Sequence, residues 1–169
     1  VGSVAFDAIE TPFGKTAKIV GGAGTFISLA ASFFLPEQGI ISVVGEDFPK
    51  DDLAEMEAKG IDLAGLQIKL GEKTFFWSGK YHNDMNSRDT LITELNVLGT
   101  FDPTVPEAYQ GAPYLMLGNL SPEVQRTVIE RLTVRPKLIA MDTMNFWMDI
   151  ALDELKKTMK LIDVLIIND

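Results

Sequence analysis

Two carboxylates and three glycines carry the chemistry this sequence offers. Asp7 follows the apolar run VGSVAF, and Asp142 follows PKLIAM. Both runs read as buried strands, so both carboxylates are expected at the C-terminal edge of an open α/β sheet, where such sheets bind ligands. A carboxylate accepts two hydroxyl hydrogen bonds at once, which suits a sugar. An aspartate that merely caps its own loop reads the same way. Asn145 and Asn168, just past strand-like runs, are expected on that edge too.

Residues 20–34, VGGAGTFISLAASFF, set three glycines directly before a helix-like run. A dinucleotide fingerprint requires G-x-G-x-x-G. Gly22 and Gly24 fit it, but Ile27 stands in the third glycine's place. GKT at 14–16 ends like a phosphate loop, but the loop's first glycine would be Ile9. Bare backbone N–H groups at such a helix start would suit an oxygen-rich or anionic ligand. A tight packing turn is the alternative, and the local sequence leaves both open. His82, Asp84 and Asn86 lack the glycine and acidic terminus of a calcium loop. Asn119-Leu120-Ser121 spells a glycosylation sequon, but Pro122 follows it. Phe75, Phe76 and Trp77 would be core in most proteins.

These residues must be placed by strands and helices. VGSVAFDAI, residues 39–45, residues 114–119, residues 136–143 and DVLIIN read as strands. Residues 25–35 read as a helix apolar nearly all round, hence buried. Residues 49–61 read as an amphipathic helix with Leu53 and Met56 on one face and Gly60 as its stop. Ser121 as N-cap and Pro122 as first helical residue open a helix to about 132. Another is expected near 150–160. Buried strands alternating with helices predict a parallel sheet covered on both faces. Residues of about 66–97 break the rhythm. They show period-two patterning and turn signals at Gly71–Glu72 and His82–Asn86, which predicts a small inserted antiparallel sheet.

Composition narrows the function. The chain of 169 residues is 46% hydrophobic and 23% charged, enough for a sizeable core. A net charge of −9 offers no basic surface for nucleic acid. Without cysteine and with one histidine, disulfides, thiol chemistry and a His-rich metal centre are excluded, and no metal site is expected. No run is long enough to span a membrane and no signal-peptide pattern is present, so a cytoplasmic location is expected. The missing initial Met and the strand at the other end suggest part of a longer chain.

Together these features resemble the PfkB, or ribokinase-like, carbohydrate and nucleoside kinases over the whole chain. The first strand with its Asp, the Gly-Gly turn, VVGEDFPKDDLAEMEAKGID, MDTMNFW and IIND match the family's order and spacing. The resemblance implies a three-layer α-β-α, Rossmann-like sheet with a small β lid at about 66–97, helped by residues 8–20. Residues 1–169 would be the N-terminal portion of one kinase domain. It implies transfer of the γ-phosphoryl group of ATP, with Mg²⁺, to a primary hydroxyl of a sugar or nucleoside. Asp7, Gly21, Gly22, Phe26, Trp77, Asp142 and Asn145 would then line the acceptor site, and Asn168 would orient the Mg²⁺–water network. The catalytic Asp of the family's G-A-G-D motif is not among these residues, nor are most ATP contacts. A homodimer through the lid is also implied.

Phe26 and Ala5 replace two asparagines common in the family, and Lys50 replaces a frequent glycine. The acceptor is therefore expected to be less hydroxyl-rich than free ribose. Phe26, Phe75 and Trp77 could stack on a base, which favours a nucleoside. A non-catalytic sugar- or nucleoside-binding module, or an inactive truncated piece, is the alternative.

Overall fold

The computed structural model describes residues 1–167. In chain order they form β1 (Ala5–Thr11), β2 (Gly14–Lys15), β3 (Ile19–Gly21), α1 (Ala23–Ser32), β4 (Gln38–Gly45) and α2 (Lys50–Ala58). Next come β5 (Ile61–Lys69), β6 (Phe76–Tyr81), β7 (Arg88–Glu94), β8 (Tyr114–Leu117) and α3 (Pro122–Arg131). β9 (Leu138–Asp142), α4 (Asn145–Ile150), α5 (Leu152–Met159) and β10 (Val164–Ile166) complete them.

Residues 1–4 join the two halves of the main sheet. Val1 N–H donates to Met116 O at 2.8 Å, and Val1 O accepts Gly118 N–H at 2.8 Å. On the other side Gly2 N–H reaches Ile41 O at 3.3 Å, and Val4 N–H reaches Ser42 Oγ at 3.1 Å. The resulting order is β5, β4, residues 1–4, β8, β9, β10. The β4–β5, β8–β9 and β9–β10 pairs are all parallel.

Alternation along β4 separates the layers. Ile40 and Val44 pack with Val4, Phe48, Met56 and Ile61. Ile41 and Val43 pack with Val97, Phe101, Leu120 and Val128. Neighbouring strand residues point to opposite faces, so Leu29 of α1 and Met56 of α2 cover one face and Val128 of α3 covers the other. Leu155 of α5 closes over Leu117, Ile139 and Met141. This is the expected three-layer α/β architecture.

The first strand leaves the main sheet at Ala5 and enters a second, smaller one. There β2 and β3 pair along one edge of β1, β6 pairs along the other, and β7 lies outermost. β5 belongs to the main sheet, so residues 66–69 stand there, and the inserted strands are β6 and β7. The short helix α4 was not foreseen from the sequence. Ser121 does sit at the N-cap of α3, but its hydroxyl makes no capping bond.

The helix after the glycines differs from its sequence reading. It is not buried all round: α1 buries Gly24, Thr25 and Ser28, while Phe26, Phe33 and Phe34 are exposed. At the first turn the cause is steric. The first turn lies so close to residues 2 and 3 that a Cβ on Gly24 would stand 2.7 Å from Gly2 O. Small residues must face the strand, and bulky ones turn outward.

Gly22 is held at φ 96°, and a Cβ there would collide with Ser3 O. A non-glycine residue in that conformation costs about 1–3 kcal/mol before the collision is counted. Gly22→Ala should therefore lower stability by at least that much in urea denaturation. An unchanged midpoint would show that the turn tolerates a side chain.

Candidate acceptor site

β1 places Asp7 by alternation. Phe6 points into the core, stacking on Phe48 with ring centroids 5.3 Å apart. Asp7 points the other way, in register with Ile19 of β3 and Trp77 of β6. Its carboxylate lies directly on Gly21, where any Cβ would overlap Asp7 Oδ2. It accepts the N–H of Gly22, yet burial outweighs that bond and pushes its pKa above the ordinary carboxylate value.

The amides of the glycine turn are not bare. Ala23 N–H donates to Ser3 Oγ at 3.0 Å. Gly24 and Thr25 N–H both reach Ser3 O, at 2.8 and 3.4 Å. Phe26 N–H is already inside the helix, bonded to Gly22 O at 3.2 Å. Of the two readings the sequence leaves open for these helix amides, the packing turn is the one seen: Ser3 caps the helix start, and what the turn approaches is Ser3 and Asp7.

Trp77 shares Asp7's face of the small sheet. Its ring covers Gly79, and its indole N–H donates to Thr90 Oγ1 at 3.3 Å. Phe76, on the opposite face, packs into the core. The sheet's root is fixed by Asp47, which accepts Thr74 N–H and Thr74 Oγ1–H, both at 2.7 Å, and pairs with Lys18 at 3.3 Å. Burial raises the Asp47 pKa, but these partners outweigh it and hold it below the usual value. Lys18 Nζ also sits 3.8 Å from the Phe6 ring centroid.

A second group forms at the ends of β8 and β9. Asp142 accepts the backbone N–H of Asn119 and of Thr143, and burial again raises its pKa overall. Asn119 Oδ1 accepts the Trp147 indole N–H at 2.9 Å. Beneath them, the buried Gln125 amide reaches Gly118 O at 2.9 Å and Asp142 O at 3.0 Å. The two groups flank the first turn of α1. Asp7 meets Gly21 and Gly22 on one side, and a Cβ on Gly118 would stand 2.8 Å from Ile27 Cδ1 on the other.

Of the residues singled out in the sequence, Asp7, Gly21, Gly22 and Trp77 gather at the root of the small sheet. Asp142 stands at the end of β9. Phe26 is exposed on α1, and Asn145 is exposed at the start of α4. Asn168 lies outside the described residues. Asn119, Gln125 and Asp47 went unrecognised. The sequon spelling drew attention away from Asn119, although its place just after a strand was the usable signal. Gln125 has a weaker signal, a polar residue beside the core positions Val124 and Val128.

Comparison with known proteins follows this geometry. No family model matches the chain. A cytidine kinase of Thermococcus kodakarensis is 29% identical over 133 residues, covering 78% of this chain and 46% of that protein. A nucleoside kinase of Methanocaldococcus jannaschii, an archaeal member of the ribokinase family, superposes with a TM-score of 0.77 at 16% identity. It covers 99% of this chain and 59% of its own. The fold is that of the ribokinase-like kinases. A ribokinase-type protein of E. coli solved with ATP and Mg²⁺ shares it at TM-score 0.74 and 18% identity, over 98% of this chain and 60% of that one. The chain thus spans about half the length of the curated relative it matches, and the resemblance read from its motifs stands.

Within this fold burial makes the charged form of Asp7 costly. A raised folded-state pKa means the native state binds more protons than the unfolded one between the ordinary carboxylate pKa and the raised value. Stability then falls as pH rises through that window. Asp7→Asn should raise Tm at pH 7, and its advantage over the parent should shrink as pH drops below the carboxylate range. An advantage that persists in acid would mean the gain has another source.

Proposed function

We propose that this chain is the acceptor-binding part of an ATP-dependent kinase that phosphorylates a primary hydroxyl of a nucleoside. The observation that carries the reading is Asp7. Its half-buried carboxylate rests on Gly21 and faces the same way as Trp77, on a ribokinase-like fold. The carboxylate holds two acceptor hydroxyls, Gly21 leaves room for that carboxylate, and Asp142 bounds the site from the β9 end. Trp77 and the exposed Phe26 offer apolar faces to a base. The relatives that act on nucleosides favour a nucleoside over a simple sugar.

In this reading the described residues serve the acceptor. No group of three metal-ligating side chains stands among them, and the amides at the start of α1 are engaged. In this reading ATP and Mg²⁺ belong to the part of the relatives that this chain does not match, so no transfer step is assigned to its residues. Their work is positioning the acceptor and excluding water under the small sheet, which acts as a lid. No helix among the described residues is long and apolar enough to cross a membrane.

ATP consumption by the full chain with cytidine, adenosine and ribose tests the reading. One nucleoside should be phosphorylated, and Asp7→Ala should cost on the order of 2–4 kcal/mol in kcat/KM through lost positioning. Binding of a nucleoside without ATP consumption would identify a non-catalytic binding module instead. An unaffected kcat/KM would reduce Asp7 to a loop cap.

The lid also supports a homodimer. Every residue of β7 is exposed, Leu91 and Ile92 among them, and its outer edge is unpaired among the described residues. Antiparallel pairing of β7 with its copy, centred on Leu91, sets Arg88 of one chain opposite Glu94 of the other. Leu91→Lys should shift sedimentation from dimer to monomer without lowering Tm. A parent chain that is monomeric at high concentration would refute the pairing.

A further inference from the structure

Gln125 is fully buried on α3, yet it makes no bond typical of a helix side chain. Its Nε2 lies within 3.4 Å of Leu117 O, 2.9 Å of Gly118 O and 3.0 Å of Asp142 O. Its Oε1 is equally buried and has no partner among the described residues. The side chain is thus used wholly as a donor. It draws together carbonyls at the ends of two adjacent strands, just where their backbone ladder stops. A buried amide that leaves its own oxygen unsatisfied is costly, so a purely apolar residue would serve packing better. The same strand ends carry Asn119 and Asp142. Asn119 N–H bonds across to the Asp142 carboxylate, and Asn119 Oδ1 receives Trp147.

We propose that Gln125 is a positioning residue, whose buried amide ties the ends of β8 and β9 at the separation that presents Asp142 and Asn119 to a bound acceptor. The role rests on the acceptor-site reading above. Gln125 itself touches no ligand. It acts through the Gly118 and Asp142 carbonyls, and the carboxylate follows because its two N–H donors sit on the tied segments. Trp147 reports on the same geometry, since its indole bond to Asn119 depends on where the β8 end lies.

Gln125→Met keeps size and removes the donor. In the full chain it should fold cooperatively with a lower Tm. The Asn119 and Thr143 amides should exchange faster with solvent, and in a Trp77→Phe background Trp147 emission should shift to the red. KM for the nucleoside turned over by the parent, cytidine or adenosine, should rise on the order of 10- to 100-fold, while KM for ATP stays within about twofold. Gln125→Asn, which retains an amide but withdraws it by one methylene, should give the same pattern more weakly and serves if the Met variant fails to fold. A lower Tm with unchanged nucleoside KM and Trp147 emission would overturn the proposal, leaving Gln125 as core filler. Equal losses toward ATP and nucleoside would overturn it too. If the parent phosphorylates no nucleoside, the acceptor reading fails. Exchange and emission then still decide whether Gln125 ties the strand ends.

Discussion

The first turn of α1 rests on Ser3, and the placement of the other elements follows from that contact. The carbonyl and hydroxyl of one residue take three consecutive helix N–H groups. Helix starts leave such donors orphaned, and an unmet buried amide is expensive. Ser3 can meet them only if no side chain keeps helix and strand apart, which is why Gly22 and Gly24 stand where they do. The same residues lie in the middle of the main sheet, bonded to β4 on one side and β8 on the other. A shift of this turn would therefore move both halves of the sheet as well as the carboxylate resting on Gly21.

One continuous strand carries this constraint outward. Residues 1–4 belong to the main sheet, and β1 belongs to the smaller one. Phe6 keeps the crossing in register by stacking on Phe48 under the Lys18 ammonium, and Asp47 clamps Lys18 and Thr74 at the same place. The base of the small sheet is thus held by several side-chain contacts, and its far edge by fewer. Glu10 bridges Lys15 and Lys80 near the hairpin, but these are exposed ion pairs of small worth. Outermost β7 has every residue exposed. In the proposed reading, a sheet held at its root and weakly covered at its rim would act as a lid over Asp7.

The sequence disclosed what depends on periodicity and punctuation. Buried strands at 39–45 and 137–142, the helix stopped by Gly60 and the turn at Gly71 were readable because each has a local cause. The side of α1 that is buried was not readable. Hydrophobicity placed Phe26 inside, but at the first turn the close approach to Ser3 admits only small residues, and Phe33 and Phe34, beyond the last helical residue, are exposed too. The choice between anion cradle and packing turn stayed open for the same reason, since a helix start looks bare until the residue that caps it is known, and Ser3 lies twenty residues upstream. Asn119 and Gln125 act across strand ends 17 to 28 residues away, a pairing no spacing rule exposes. Asp7 stood out as a carboxylate after an apolar run, a pattern that a loop cap shares, and its place inside β1 rather than at a strand end was not readable because the strand runs on into the smaller sheet.

The aspartates themselves separate structural from functional use. Asp47 is fully engaged by two Thr74 donors and a lysine, and its pKa is lowered despite burial. Such a group stabilises the fold at neutral pH and has little left to offer a ligand. Asp7 and Asp142 are more deeply withdrawn from water and hold only backbone N–H groups, and among the described residues neither pairs with a lysine or arginine. Their raised pKa values mark carboxylates that the fold has desolvated without compensating. Hydroxyls of a bound acceptor would supply the missing donors, returning in binding what the free protein lacks. In the proposed reading, these two carboxylates on either side of the α1 turn are the groups an acceptor would meet.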